Sequence, residues 1–389
     1  MKKGMRLETG GWRKKGCRPK AVDCRKNADG RSVRLRLTAS GLLGRAYGLR
    51  STACGLLFLL AVLCGCSAKE QTPPAEDSVV VYTSLDQAFS EPILREFERQ
   101  TGIKVKPVYD TEAAKTTGLV NRLISQKDRP DCDVYWNNEI VQTQRLADLG
   151  VLAPYESPNA GRIPPQFRDP AHRWIGFAAR GRVIIYNTRK VSRADAPTSV
   201  DDLLAPRWRG QVAIARPLFG TTLTHMAVMH QAGGPEALRA FLRGLRQNQA
   251  ALCAGNGPVR DQVAAGERAV GLTDTDDAYE AMQSGKDVAV VLAGVGGRPV
   301  LIPNTVSVIA NAPHPSSARR LADYLLSADV ERRLASGPSA QIPLGTDLID
   351  CPTPWREQLR APVQTYDVAA AARDLPTVLD ILKEEGMDE

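Results

Sequence analysis

The sequence predicts an α/β protein built as two units. Three observations predict it. From Val79 onward, short β-rich runs alternate with helical patterns. Arg182 to Asn187 is an unusually strong strand, beyond which a second series of strands and helices begins. The 389 residues, 43% hydrophobic and 24% charged, suffice for a large core and about two or three domains.

Val79 to Tyr82 reads as a buried strand. A helix follows with Ser90 as N-cap, Glu91 in its first turn, an apolar face through Ile93, Leu94 and Phe97, and Gly102 after its end. Ile103 to Val108 is the next strand, and Leu119, Val120, Leu123 and Ile124 mark a second helix. Asp133 to Trp136 is a third strand, and Ile140 to Leu149, closed by Gly150, a third helix. The second series has strands at Gln211 to Ala215, Ala269 to Leu272 and Val288 to Leu292, with helices near 221–231, 235–247, 259–265 and 276–284. Asn304 to Ile309 is again a strand. Pro315 suits the first turn of a helix whose apolar face runs through Leu321, Tyr324 and Leu325. The alternation is that of a parallel sheet with crossover helices.

Charge is unevenly distributed. The chain holds 51 Lys and Arg against 43 Asp and Glu, but residues 1–66 hold 15 of the former and 3 of the latter. The remaining body is therefore mildly acidic, and no basic stripe with interleaved aromatics survives in it, so no nucleic-acid partner is expected. Arg45 and Arg50 precede the apolar run Leu56 to Leu63, which is too short to span a bilayer. It ends in Leu63-Cys64-Gly65-Cys66-Ser67, which resembles a bacterial lipobox with Cys66 as the lipid anchor. The expectation is a basic extension and lipoprotein signal peptide over 1–66 and a flexible tether over 67–77. Anchored export to the periplasmic side of the cell envelope follows. Residues 1–44 are long for a signal n-region, and a start assigned too far upstream is the expected reason. The body keeps Cys132, Cys253 and Cys351, whose pairing sequence alone leaves open.

Several segments together resemble the type II periplasmic binding proteins, in particular their ferric-ion-binding branch: Val81-Tyr82-Thr83-Ser84, Phe97 to Val105, Asp131 to Trp136, Arg180 to Thr188 and Pro303-Asn304-Thr305. The resemblance implies two α/β lobes around a ligand cleft, joined by crossing hinge segments. Lobe 1 would comprise 78–180 plus 301–348, and lobe 2 would comprise 181–300 plus 349–389. It also implies a monomeric capture component of an ABC importer, working with a permease and an ATPase and closing on its ligand by hinge motion.

Thr273-Asp274-Thr275-Asp276-Asp277 places three carboxylates between a strand and a helix. One reading is helix capping and dipole complementation. The other is a cleft-facing loop, since ligands of open α/β sheets sit beyond the carboxyl ends of strands. By the resemblance, ferric-binding relatives carry adjacent tyrosines where Asp276 and Asp277 stand. This departure puts ferric ion in question while leaving hard oxygen ligands for iron or another hard cation. Across the cleft, Ser84, Asp86, Asn138 and Glu139 are candidates, Glu139 being similar to the family's metal-ligating carboxylate. The expected metal ligands are Glu139, Asp274 and Asp276. Arg180, with Thr221 and Thr222 before a helix, is a candidate for a synergistic anion. A small organic solute such as a polyamine or phosphonate is the alternative cargo, and a sensor feeding a membrane kinase the alternative role. His172, His225, His230 and His314 form no HExxH pattern, and no GxSxG or Walker A motif appears in its expected context, so no catalysis and no catalytic cofactor are expected.

Overall fold

The computed structural model of the protein describes residues 77–110, 117–360 and 362–388. The expected signal peptide, the expected anchor Cys66 and all but the last residue of the expected tether lie outside them. Among the described residues no helix is long and apolar enough to cross a membrane.

The elements run β1 Ser78–Thr83, α1 Gln87–Thr101, β2 Lys104–Tyr109, α2 Thr117–Ser125, β3 Val134–Asn137, α3 Val141–Asp148 and β4 Leu152–Ala153. There follow β5 Ile175–Asn187, β6 Val212–Ala215, α4 Gly220–Gln247, β7 Ala251–Cys253, α5 Asn256–Ala264, β8 Val270–Asp274, α6 Thr275–Gln283 and β9 Val288–Leu292. The chain closes with β10 Gly294–Val295, β11 Arg298–Pro299, β12 Leu301–Ile309, α7 Pro315–Leu325, α8 Ala328–Ser336 and α9 Val368–Glu384.

Ten strands form one continuous sheet in the order β2-β1-β3-β12-β5-β8-β6-β7, with β4 on β12 and β9 on β5. The parallel pairing expected from the alternation holds within each half of the sheet and gives way to antiparallel pairing at its centre. β2, β1 and β3 are mutually parallel, as are β7, β6 and β8, but the central β12 and β5 pair antiparallel with their neighbours and with each other. These two strands are the crossing segments. β5 is 13 residues long and buried throughout. Its first half pairs with β12 and its second half with β8 and β9, so one backbone runs through both halves of the sheet.

The strands are buried on both faces, and the period of two sorts their side chains. Val79 and Val81 of β1, with Val134 and Trp136 of β3, pack under α1, α7 and α8. Tyr82 and Tyr135 face the opposite layer of α2, α3 and the buried faces of α4 and α9. One helix start shifts from expectation: Ser90 lies inside α1 rather than capping it, because its hydroxyl donates back to the Asp86 and Leu85 carbonyls, at 3.0 and 3.1 Å. The two helices expected at 221–231 and 235–247 are both present as the two halves of α4, which meet at the non-helical Gly234 (φ 76°, ψ 178°) before Pro235. Gly102 ends α1 in the left-handed conformation, φ 70°, as its position predicted.

Close packing of α5 on β8 is what sets the first residue of α5 beside the sheet's ends. It depends on Gly271, where an added Cβ would come within 2.6 Å of Val259 Cγ1 and 3.1 Å of the Ala213 carbonyl oxygen. Gly271→Ala is expected to lower unfolding stability by about 1–3 kcal/mol through overpacking. Urea denaturation measures this, and an unchanged midpoint would refute the packing argument.

Candidate functional site

The carboxyl ends of β1, β3, β6 and β8 point to one region, as in open α/β sheets generally. Asp86 stands just before α1 and Asn138 follows β3. Arg180 and Arg182 lie on β5, Thr221 and Thr222 in the first turn of α4, and Asn256 opens α5. Asp274 ends β8, and Asp276 and Asp277 occupy the first turn of α6. A small void lies among these groups, lined on one side by Asp86, Asn138 and Arg180 and on the other by α4, α5 and the three aspartates. Its free volume, about 20 Å³, is that of an ion or one water molecule.

Two buried ion pairs build its floor. Arg180 donates from Nε to Asp276 Oδ2 at 2.6 Å and from Nη1 to the Asn138 carbonyl at 2.8 Å. Arg182 donates from Nη1 to Asp274 Oδ1 at 2.6 Å, its strand position lying opposite Asp274 in the β5–β8 register. The other oxygen of Asp274 accepts from Thr221 Oγ1 at 2.5 Å and Asn256 Nδ2 at 2.8 Å. Arg182 also reaches Thr222 Oγ1 at 3.3 Å. The capping reading of Asp274 therefore gives way: it occupies the N-cap position of α6, but its carboxylate makes no cap bond and turns to Arg182.

Asp276 is placed differently. Its Oδ1 is buried with no hydrogen-bond partner, and so is Nη2 of Arg180 beside it. Burial pushes the Asp276 carboxyl above the usual aspartate range; Arg180 opposes this and Asp274 reinforces it. Burial works against the Arg180 charge, but the carboxylates of Asp276 and Asp274 outweigh it and hold the guanidinium protonated. Asp274, Asp276 and Asp277 each offer an oxygen within 4.8 Å of the others. Asp277 is half-buried, 3.9 Å from Nη1 of Arg260.

Ser84 and Glu139 do not line the void. Ser84 Oγ lies 2.6 Å from Asn137 Oδ1 and accepts from the Asn138 amide at 2.8 Å, spending itself on the loop after β3. The metal role expected of Glu139 is corrected by its bonds. Its carboxylate accepts from the amides of Val141 and Gln142, from Asn137 Nδ2 and from Thr224 Oγ1, at 2.8 to 3.2 Å. It caps the start of α3 and ties α3 to α4, with no lone pair left for a metal. Burial raises its pKa, and these donors counter the rise. Arg182 and Asn256 are absent from the sequence-derived set. Because the expected strand began at Arg182, Arg180 lay outside it and the face that i and i+2 share on β5 was not legible; nothing in the sequence marked Asn256. Among the described residues Cys132, Cys253 and Cys351 are free thiols.

The profile of a family described as bacterial extracellular solute-binding protein matches residues 141–366, more than half of the chain. The Fe(3+)-binding periplasmic protein of Serratia marcescens is 28% identical over 219 residues, which span 56% of this chain and 63% of that relative's length. A putative 2-aminoethylphosphonate-binding periplasmic protein of Salmonella typhimurium is 26% identical over 318 residues, 78% of this chain and 88% of that protein. Among solved structures, iron-bound HitA from Pseudomonas aeruginosa superposes with a TM-score of 0.71 at 23% identity, over 80% of this chain and 99% of that one. The fold is thus the two-lobed one of type II periplasmic binding proteins.

Removing one partner of a buried ion pair strands the other charge. Asp274→Ala leaves the Arg182 guanidinium without its counterion and is expected to destabilise the protein by about 3–5 kcal/mol, well beyond a surface aspartate. Chemical denaturation measures it. A loss below about 1 kcal/mol would show that Asp274 is a ligand group alone.

Proposed function

This chain belongs to the bacterial extracellular solute-binding protein family, and from that premise we propose that it captures a hard metal cation, ferric iron foremost, for an ABC importer. The observation that carries the reading is a pair of buried, unpartnered atoms, Asp276 Oδ1 and Arg180 Nη2, on two residues that line one void. The first calls for a cation and the second for an anion. A metal ion on Asp276 and Asp277, joined by a small oxyanion, satisfies both. The anion would sit between Arg180 and the first-turn N–H groups of α4 at Thr221 and Thr222. Carboxylate oxygens suit hard cations in general, and the similarity to an iron-binding periplasmic protein favours iron among them.

In this reading the lobes comprise 78–180 with 301–348 and 181–300 with 349–389. They close by bending at the crossing strands, and the protein is a monomer held to the envelope membrane through Cys66, handing its cargo to a permease and ATPase. Its task is binding and release, not catalysis.

A second reading rests on the same two atoms. A zwitterion bearing an ammonium and a phosphonate would also satisfy an acceptor and a donor set side by side, and the similarity to a putative 2-aminoethylphosphonate-binding protein supports it. Elemental analysis of protein purified without chelator, followed by a thermal-shift panel of metals and of 2-aminoethylphosphonate, separates the two. Ferric iron at a hundredfold excess over its Kd is expected to stabilise the wild type by about 2.7 kcal/mol. Asp276→Asn is expected to remove most of that gain. A wild type that retains no metal and responds to none, while responding to the aminophosphonate, overturns the metal reading in favour of the zwitterion.

A further inference from the structure

A larger pocket of about 420 Å³, lined among others by Asp86, Phe89, Arg260, Asp261, Asp277 and Glu280, adjoins the void. Asp86 and Asp277 line both spaces. Four of the ten residues that line the larger pocket are carboxylates, and Arg260 is the one cation among them.

Arg260 is placed to act on the inner site. It rises from the second turn of α5, and its side chain is 17% exposed. It bonds Asp261 at 2.9 Å and Glu280, and its Nη1 stands 3.9 Å from Asp277 Oδ1. Gly257, one turn back on α5, leaves the space between the two groups open: a Cβ there would lie 3.6 Å from Asp277 Oδ1 and 3.7 Å from Arg260 Nη2. Asp277 thus borders both a guanidinium and the void.

We infer that Arg260 is a specificity-determining residue of the cleft, a built-in cation that competes with the cargo for Asp277. The inference rests on the cation-capture reading of the site. At 3.9 Å the Arg260 charge is farther from Asp277 than a metal bound at about 2.0–2.6 Å would be, but near enough to lower the negative potential an entering ion meets. The repulsion scales with the ion's charge, so Arg260 costs a trivalent ion more than a divalent one. Arg260 therefore lowers the affinity for every cation and narrows the margin by which a trivalent ion outbinds a divalent one. A purely structural arginine, tying α5 to α6, would do neither.

The test is isothermal titration of wild type, Arg260→Gln, Arg260→Lys and Asp276→Asn with ferric nitrilotriacetate and, separately, manganese(II) chloride. Metal-free thermal transitions are measured on the same samples. Arg260→Gln is expected to bind iron about tenfold more tightly, the factor that corresponds to 1.4 kcal/mol, and to gain less for manganese than for iron. Its metal-free transition is expected to fall, because three ion pairs are lost. Tighter binding by a less stable protein is a combination that a structural role does not give. Arg260→Lys is expected to stay within about threefold of wild type. If Arg260→Gln binds no more tightly than wild type while Asp276→Asn loses binding, the competitor role is refuted and the cation reading stands. If wild type itself binds neither metal, the cation reading fails and the competitor role fails with it.

Discussion

The site hangs on two guanidinium groups set two residues apart on one strand. Arg180 and Arg182 lie on β5, the strand whose two halves pair with the two halves of the sheet, and both are buried. Taking a charge out of water costs several kcal/mol, and attraction to a partner offsets it only where the geometry is good and the remaining donors are met. Arg182 comes close to this. It is bound by Asp274, Thr221, Thr222 and Asn256, leaving only Nε unmatched. Arg180 does not, since Nη2 is idle beside an idle oxygen of its own partner, Asp276. The first pair is a nearly complete structural joint, and the second keeps an unmatched atom on each partner.

That contrast divides the aspartates by task. Asp274 is fixed by three kinds of donor and positions the first turns of α4 and α5. Asp276 keeps one bond to Arg180 and one unmet acceptor. A similar division runs through the residues after β3, where Glu139 is consumed by α3 and Thr224 while Asn138 lines the void. The Glu139–Thr224 bond joins α3 to α4, and α9 packs against both of those helices. Closeness of the two halves is therefore built into buried polar and apolar contacts around the void as well as into the strands that cross between them.

Much of the fold was legible because local chemistry and global position agree. β-Branched runs named β1, β6, β8 and β9, and Gly102 and Gly150 marked helix ends by the left-handed backbone that glycine permits. The pattern placed the start of β5 at Arg182, because Gly176, Arg180 and Gly181 interrupt the apolar run that precedes it. Those interruptions are the functional part: a strand that crosses between lobes beside a cleft carries charges and close approaches in place of alternating valines. The aspartates of the 273–277 loop were legible as a cluster. Their division of labour was not, because the deciding partner of Asp274 is 92 residues away in the chain and that of Asp276 is 96. Glu139 misled for a related reason: a carboxylate ahead of a helix serves as a cap or as a ligand, and only the count of donors around it decides.

The aspartates at 276 and 277 change what the rest of the cleft must supply. A pair of phenols is neutral before a metal arrives and needs no counterion. Carboxylates are charged, and two of them about 5 Å apart repel by roughly 3 kcal/mol at an effective dielectric of 20. Three gathered within 4.8 Å cannot stay ionised and buried without cations of their own. Arg180 and Arg182 answer this from beneath, and Arg260 answers it from the adjoining pocket. The aspartates are therefore already compensated by the protein's own guanidinium groups, which in the proposed reading a cationic cargo must displace or share. In that reading the carboxylates of Asp86, Asp261 and Glu280 in the larger adjoining pocket favour a cation and oppose a polyanionic chelate.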